Sequence, residues 1–250
     1  MIQEFLQNKV YHPVEIDNNS VEGHGHTLSV KVVMPCFCQA NCEFCFNKLT
    51  RETQLHDWNT FRSNLFMSLS TIFNTLNNRK ISIDITGNEP TFNIKHFKQL
   101  MSDLAYFKTV WSSKIDKIVL TTNGYHLYEC IRDMIDIVDI VNISLHSPTY
   151  EGRMNIFKTK YIPSNEDLKN INKLLNEYCI KSTSVAVINH ECSFKYIVEK
   201  FVEFSREVGF IDTRIRLDFT TTNNLVKRLF DIVKFDNETV YYQNGLDSKF

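Results

Sequence analysis

The chain has 250 residues, with 28 basic side chains against 29 acidic ones and a formal net charge of -1. That balance supplies no overall basic field to hold nucleic acid through its phosphates, so a nucleic-acid partner is not expected. No apolar run is long enough to cross a bilayer, and the N-terminal stretch lacks the basic start and apolar centre of a signal peptide, so the expectation is a cytoplasmic protein with no membrane partner.

In chain order, short β-branched runs alternate with longer amphipathic segments from Leu28 onward, the rhythm of a parallel sheet with helices outside it. Strands are expected at 28–33, 81–86, 117–122, 140–145, 182–188 and 213–219. Crossover helices are expected at 58–77, 94–107, 126–135, 164–178 and 194–208. Ser164 followed by Asp167 marks a helix start, and Gly209 after Val208 a helix stop. A last helix at 223–233 and a short strand at 239–242 before Asn244-Gly245 follow. No repeat, low-complexity tract or linker divides this series. An N-terminal extension (1–27), a main domain (28–220) and a short C-terminal helix and strand/turn extension (221–250) describe the organisation.

Apolar and polar residues take turns in Ile81-Ser82-Ile83-Asp84-Ile85-Thr86, in Val141-Asn142-Ile143-Ser144-Leu145-His146 and in Arg214-Ile215-Arg216-Leu217-Asp218-Phe219. A closed eight-stranded barrel fills its interior with bulky apolar side chains, and a sheet covered by helices on both faces carries continuous apolar runs. Neither matches. With the apolar face against the helices, Ser82, Asp84, Asn142, Ser144, Ser184, Arg214, Arg216 and Asp218 line the concave side. The fold class is α/β, an open, partial TIM-like barrel with a polar concave face; a sheet with one solvated face is the alternative.

Seven cysteines, an odd number without an export signal, argue against a disulfide framework. Cys130, Cys179 and Cys192 lie in or beside predicted helices and read as small buried hydrophobes. The other four crowd into Cys36-Phe37-Cys38-Gln39-Ala40-Asn41-Cys42-Glu43-Phe44-Cys45, directly after the first strand. That is the C-terminal rim, where parallel α/β barrels place their chemistry. Closely spaced thiolates suit a soft metal site. A structural zinc site could use all four, although zinc folds usually join two separated pairs. A ferredoxin-like electron carrier also asks for four thiolates. A third arrangement uses three and leaves one iron open.

Cys38-x-x-x-Cys42-x-x-Cys45, with Phe44 before the last cysteine, resembles the signature of the radical S-adenosylmethionine (SAM) superfamily. The resemblance implies that these three thiolates hold a 4Fe-4S cluster whose fourth iron chelates SAM. It further implies reductive cleavage to a 5'-deoxyadenosyl radical that takes hydrogen from a substrate, with an electron donor such as flavodoxin or ferredoxin as partner. Cys36 is extra to the motif, either a structural thiol or an alternative ligand.

Further matches stand at later strand ends. Thr86-Gly87-Asn88-Glu89-Pro90 is similar to the family's Gly-Gly-Glu-Pro segment, which implies contact with the methionine amino group, with Asn88 in place of the second glycine. Thr122-Asn123-Gly124 resembles its Thr-Asn-Gly turn. An ordinary turn also accounts for either segment. Ser144-Leu145-His146 is similar to a segment whose polar groups reach the methionyl or ribose part of the cofactor. Val187 and Ile188 resemble a stretch that contacts adenine, which a buried strand explains equally.

Arg214 and Arg216 are candidates for a carboxylate or phosphate of cofactor or substrate, or for an internal pair with Asp84. Catalytic side chains beyond the cofactor are not identifiable. His24 and His26 read as exposed loop histidines, with a surface metal pair as the alternative. The long connection from His146 to Pro163 reads as a lid over the rim. A tail without cysteine carries no further iron-sulfur clusters, which favours a small-molecule substrate and leaves a peptide as the alternative.

Overall fold

The computed structural model describes residues 14–17, 27–42, 44–45, 57–76, 79–188 and 194–217. Strands β1 (Val14–Asp17), β2 (Thr27–Met34), β3 (Lys80–Gly87), β4 (Ile115–Thr122), β5 (Ile140–Ser144), β6 (Lys181–Ile188) and β7 (Asp212–Leu217) form one sheet in chain order. Six of them, β2 to β7, are parallel. The antiparallel β1 edges the sheet beside β2, with Ile16 opposite Val30, so the N-terminal extension contributes a strand of its own. The sheet is not closed, as in a partial TIM barrel.

The crossovers contain α1 (Trp58–Thr75), α2 (Ile94–Val110), α3 (Leu127–Cys130), α4 (Tyr150–Phe157), α5 (Asn165–Glu177) and α6 (Phe194–Val208). Alternation decides which face each strand buries. In β2, Leu28, Val30, Val32 and Met34 are buried and the residues between them half-buried. Ile81, Ile83 and Ile85 of β3 are buried in the same way. These side chains share one core with Phe61, Leu65 and Leu69 of α1, Phe97, Leu100 and Leu104 of α2, and Leu168, Ile171 and Leu175 of α5. Burying such side chains contributes about 2 kcal/mol each. Helix starts are capped locally: Asp57 accepts the Thr60 amide, Asn93 the His96 amide, and Ser164 with Asp167 forms a reciprocal capping box.

Four sequence expectations change. The helix expected at 126–135 is a single α-turn followed by a 3-10 turn, Ile131–Met134. The connection after β5 contains helix α4. Ser184 faces away from the concave side: its hydroxyl meets Ser205 of α6 at 2.8 Å, because three consecutive polar residues in β6 erase the alternation that would have assigned faces. Cys179 is exposed; it sits with φ 57° in the left-handed position just past α5. The helix and strand expected at 223–233 and 239–242 lie outside the described residues, as do His24, His26, Cys192 and Asp218.

The junction between β2 and β3 is tightly packed at the rim. Gly87 has φ +130°, and a Cβ there would stand 2.8 Å from the Met34 carbonyl oxygen and 2.9 Å from its nitrogen. Gly87→Ala is therefore expected to lower the unfolding free energy by about 2–4 kcal/mol. Urea titration should show this as a lower midpoint at unchanged slope.

Candidate functional site

The cysteine loop leaves β2 at Met34 and is held by neighbours on both sides. Cys36 is buried; its amide and thiol both turn back to the Met34 carbonyl, at 3.0 and 3.5 Å, and burial pushes the thiol up to about 12. The Cys36 carbonyl accepts the Asn88 Nδ2 at 2.7 Å. Asn88, where the family pattern has glycine, thus ties the first turn of the loop to the end of β3.

Cys38 is half-buried, and its sulfur accepts the Ala40 amide at 3.4 Å and Asn123 Nδ2 at 3.6 Å. Burial pushes this thiol up to about 12, against the pull of the Ala40 amide. Gln39 Nε2 donates to Asn123 Oδ1 at 2.9 Å and to the Tyr161 carbonyl at 3.1 Å. Cys42 is buried, and its carbonyl accepts the Cys45 amide at 3.3 Å. Cys38, Cys42, Phe44 and Cys45 share a small apolar cluster with Ala40, Phe157 and Ile162, separate from the main core. The three thiols that match the motif therefore lie together in one apolar pocket at the rim.

Among the described residues, no three His, Cys, Asp or Glu side chains converge on a single ion. A mononuclear zinc site draws its ligands to one centre. A four-iron cluster is larger and takes thiolates distributed around it. Amide N–H groups aimed at sulfur are the hydrogen bonds that tune such a cluster. The donor set fits the group.

Glu89 is fully buried, and both of its carboxylate oxygens are engaged inside the protein. Oε1 accepts the Thr91 amide at 3.1 Å, the Thr91 hydroxyl at 2.6 Å and the Thr122 hydroxyl at 2.5 Å; Oε2 accepts the Asn123 amide at 2.7 Å. Burial pushes the carboxyl up, and these four bonds oppose it. The Glu89 side chain joins the turn after β3 to the turn after β4. Thr122 continues the join by accepting the Gly124 amide at 3.0 Å. The Thr91 hydroxyl also lies against the Tyr125 carbonyl, a second acceptor for its single proton.

His146, after β5, has φ 62° and accepts the Val187 amide on Nδ1 at 3.0 Å, which puts the ring proton on Nε2. Phe44 meets it edge-on, ring centres 4.8 Å apart, and Phe157 packs at 5.3 Å. Val187 enters the site through that amide; Ile188 is paired in register with Leu217. Ser144 closes β5, half-buried.

Arg214 stands apart from this constellation. Arg214 is exposed on β7 and its Nε donates to Asp212 on the same strand at 3.1 Å. Asp84 is engaged elsewhere, accepting the Ser29 hydroxyl at 2.8 Å. Arg216 lies on β7 in register with Val187. A cleft of about 630 Å³ between Tyr125, Tyr128, Tyr161 and α5 is lined by none of the thiols and not by His146.

Sequence reasoning missed Gln39, Thr91, Arg153 and Phe157. For Phe157 a signal existed: Tyr150, Met154 and Phe157 follow helical spacing, with Thr149 as an N-cap.

The model of the radical SAM superfamily matches residues 32–201, from β2 into α6. The chain belongs to the radical SAM superfamily. These enzymes use a 4Fe-4S cluster and S-adenosylmethionine, and the matched span contains every motif cysteine. No curated protein matches the chain. Among solved structures, SuiB of Streptococcus suis bound to S-adenosylmethionine is 16% identical with a TM-score of 0.56, covering 85% of this chain and 47% of SuiB. The enzyme anSMEcpe with bound AdoMet is 17% identical with a TM-score of 0.56, covering 77% of this chain and 52% of its own. TsrM of Kitasatospora setae, a radical SAM methyltransferase with tryptophan and aza-SAM bound, is 14% identical with a TM-score of 0.53, covering 80% and 37%. The chain thus spans about half the length of SuiB and anSMEcpe, and less of TsrM.

Glu89→Gln tests the join between the turns. Each carboxylate oxygen accepts a backbone amide, so a side-chain NH2 in place of either sets a donor against a donor. The variant is expected to lose about 1–3 kcal/mol of stability, measured by chemical unfolding of the apoprotein, where no cofactor contributes.

Proposed function

We propose that this chain holds a 4Fe-4S cluster through Cys38, Cys42 and Cys45, binds SAM at its open iron, and abstracts hydrogen from an organic substrate. The observation that carries the reading is the gathering of three motif thiols in one apolar pocket, with the turns after β3, β4 and β5 packed around it. When bound, the cluster supplies the electron that breaks a carbon–sulfur bond of SAM, leaving methionine and a 5'-deoxyadenosyl radical that becomes 5'-deoxyadenosine on taking hydrogen.

The residues of the chain orient and exclude. Asn123 and the Ala40 amide direct N–H groups at the Cys38 sulfur, which stabilises negative charge there. Phe44, Phe157 and Ile162 pack beside the thiols and limit the water around them, which strengthens those interactions. Glu89 and Asn88 fix the two turns that flank the cofactor. His146 presents its ring beside Phe44 in one tautomer, suited to a methionyl or ribose group. Arg216 remains a candidate for an anionic group of substrate.

A small molecule is our first reading of the substrate. A peptide is the second, supported by the likeness to SuiB solved with its precursor peptide SuiA and to anSMEcpe solved with a peptide.

Anaerobic reconstitution tests the proposal. The wild-type chain is expected to take up about four irons, turn brown and release 5'-deoxyadenosine from SAM under a strong reductant. Cys38→Ala, Cys42→Ala and Cys45→Ala should each abolish that yield. Cys36→Ala should retain the iron, because Cys36 turns inward to Met34. Stoichiometric zinc without iron would sink the reading, and S-adenosylhomocysteine as the product would replace hydrogen abstraction with methyl transfer.

A further inference from the structure

Arg153 is a cation with no place in the chemistry described so far. It lies on α4, is 0% exposed, and has no carboxylate hydrogen-bonded to it among the described residues. Its guanidinium is stacked 5.3 Å from the Phe204 ring and 6.0 Å from the Tyr150 ring. Isolated charges are rarely buried unless something specific compensates them. The compensation here comes mostly from the backbone. Nη1 donates to the carbonyls of Ser147 at 3.4 Å and Pro148 at 3.2 Å; Nη2 donates to the Pro163 carbonyl at 3.3 Å and to Asn165 Oδ1 at 2.5 Å. Nε, also buried, has no partner among the described residues.

The partners fall at the two ends of one excursion. Ser147 and Pro148 lead out of the rim after His146, while Pro163 and Asn165 lead back into α5. One planar group therefore closes the 147–165 loop at its neck. The same excursion reaches the cysteine loop at three points. The Phe157 carbonyl accepts the Asn41 amide at 2.7 Å, the Tyr161 carbonyl accepts Gln39 Nε2 at 3.1 Å, and Phe157 with Ile162 packs on Ala40 and Cys42. Pro163 also seats against Gly124, where a Cβ would come within 2.8 Å of its ring.

We infer that Arg153 is a positioning residue for the metal-binding loop: by closing the neck of the 147–165 excursion, it holds Phe157 and Tyr161 where they order residues 38–42. This makes the excursion a bracket for the thiols. The inference rests on the cluster reading only for the chemical meaning of the loop; the mechanical link between neck and loop stands without metal.

Hydrogen exchange on the apoprotein tests the link directly. In Arg153→Met, amides at 36–45 are expected to exchange roughly tenfold faster, as the loss of a local hydrogen-bonded contact predicts, while those of β4 keep wild-type protection. Asn165→Ala removes a single partner of Nη2 and is expected to give a smaller rise at the same place; it decides the matter alone if Arg153→Met does not fold. After iron loading, the electron paramagnetic resonance g-values of the reduced cluster should shift in either variant, a change that general loss of stability does not produce. Unchanged exchange at 36–45 in the folded variants, or a rise shared equally with β4, overturns the inference. Failure of the wild-type chain to bind iron strikes the cluster reading and leaves the exchange result intact.

Discussion

A carboxylate that receives four hydrogen bonds out of contact with water sets the geometry of this rim. Two strand ends in a parallel sheet have no ladder bonds beyond their last paired residue, so the turns that follow them need another source of order. Glu89 provides it by accepting from Thr91 on its own turn and from Thr122 and Asn123 on the next. Asn123, fixed through its amide, then has its side chain placed to reach Gln39 and the Cys38 sulfur. The thiol nearest that turn is positioned through a carboxylate it never touches.

From there each strand end is connected to the next. Asn88 holds the Cys36 carbonyl, Asn123 meets Cys38, Phe44 meets His146, and His146 takes the Val187 amide. The ends of β3, β4 and β5 thereby touch a loop with little secondary structure of its own, and β6 supports it through His146. Open parallel sheets gather ligand sites at these ends because the helices pack elsewhere and leave the turns clear.

Much of the fold could be read from the chain. Alternation located β2 to β7 within a few residues, since apolar positions such as Ile81, Ile83 and Ile85 must face the helices. It failed in β6, where Ser182, Thr183 and Ser184 carry no contrast and two of the three bond to helices. It was silent on β1, a four-residue segment whose place depends on pairing with β2. The site divides in the same way. Residue types and spacing at Cys38, Cys42 and Cys45 are local facts, whereas the direction of the Glu89 side chain depends on Thr122, far along the chain. Arg153 was invisible for a related reason: a charge on a helix reads as solvated until the carbonyls that surround it are known.

The contact between Gln39 and Tyr161 joins residues 122 positions apart. During synthesis the thiols therefore emerge on the order of ten seconds before the segment that braces them, at ordinary elongation rates. For that interval the loop lacks the wall made by Phe157, Tyr161 and Ile162, and its sulfurs are more open to whatever metal or oxidant meets them. The first-made part of this rim is therefore the last to be enclosed.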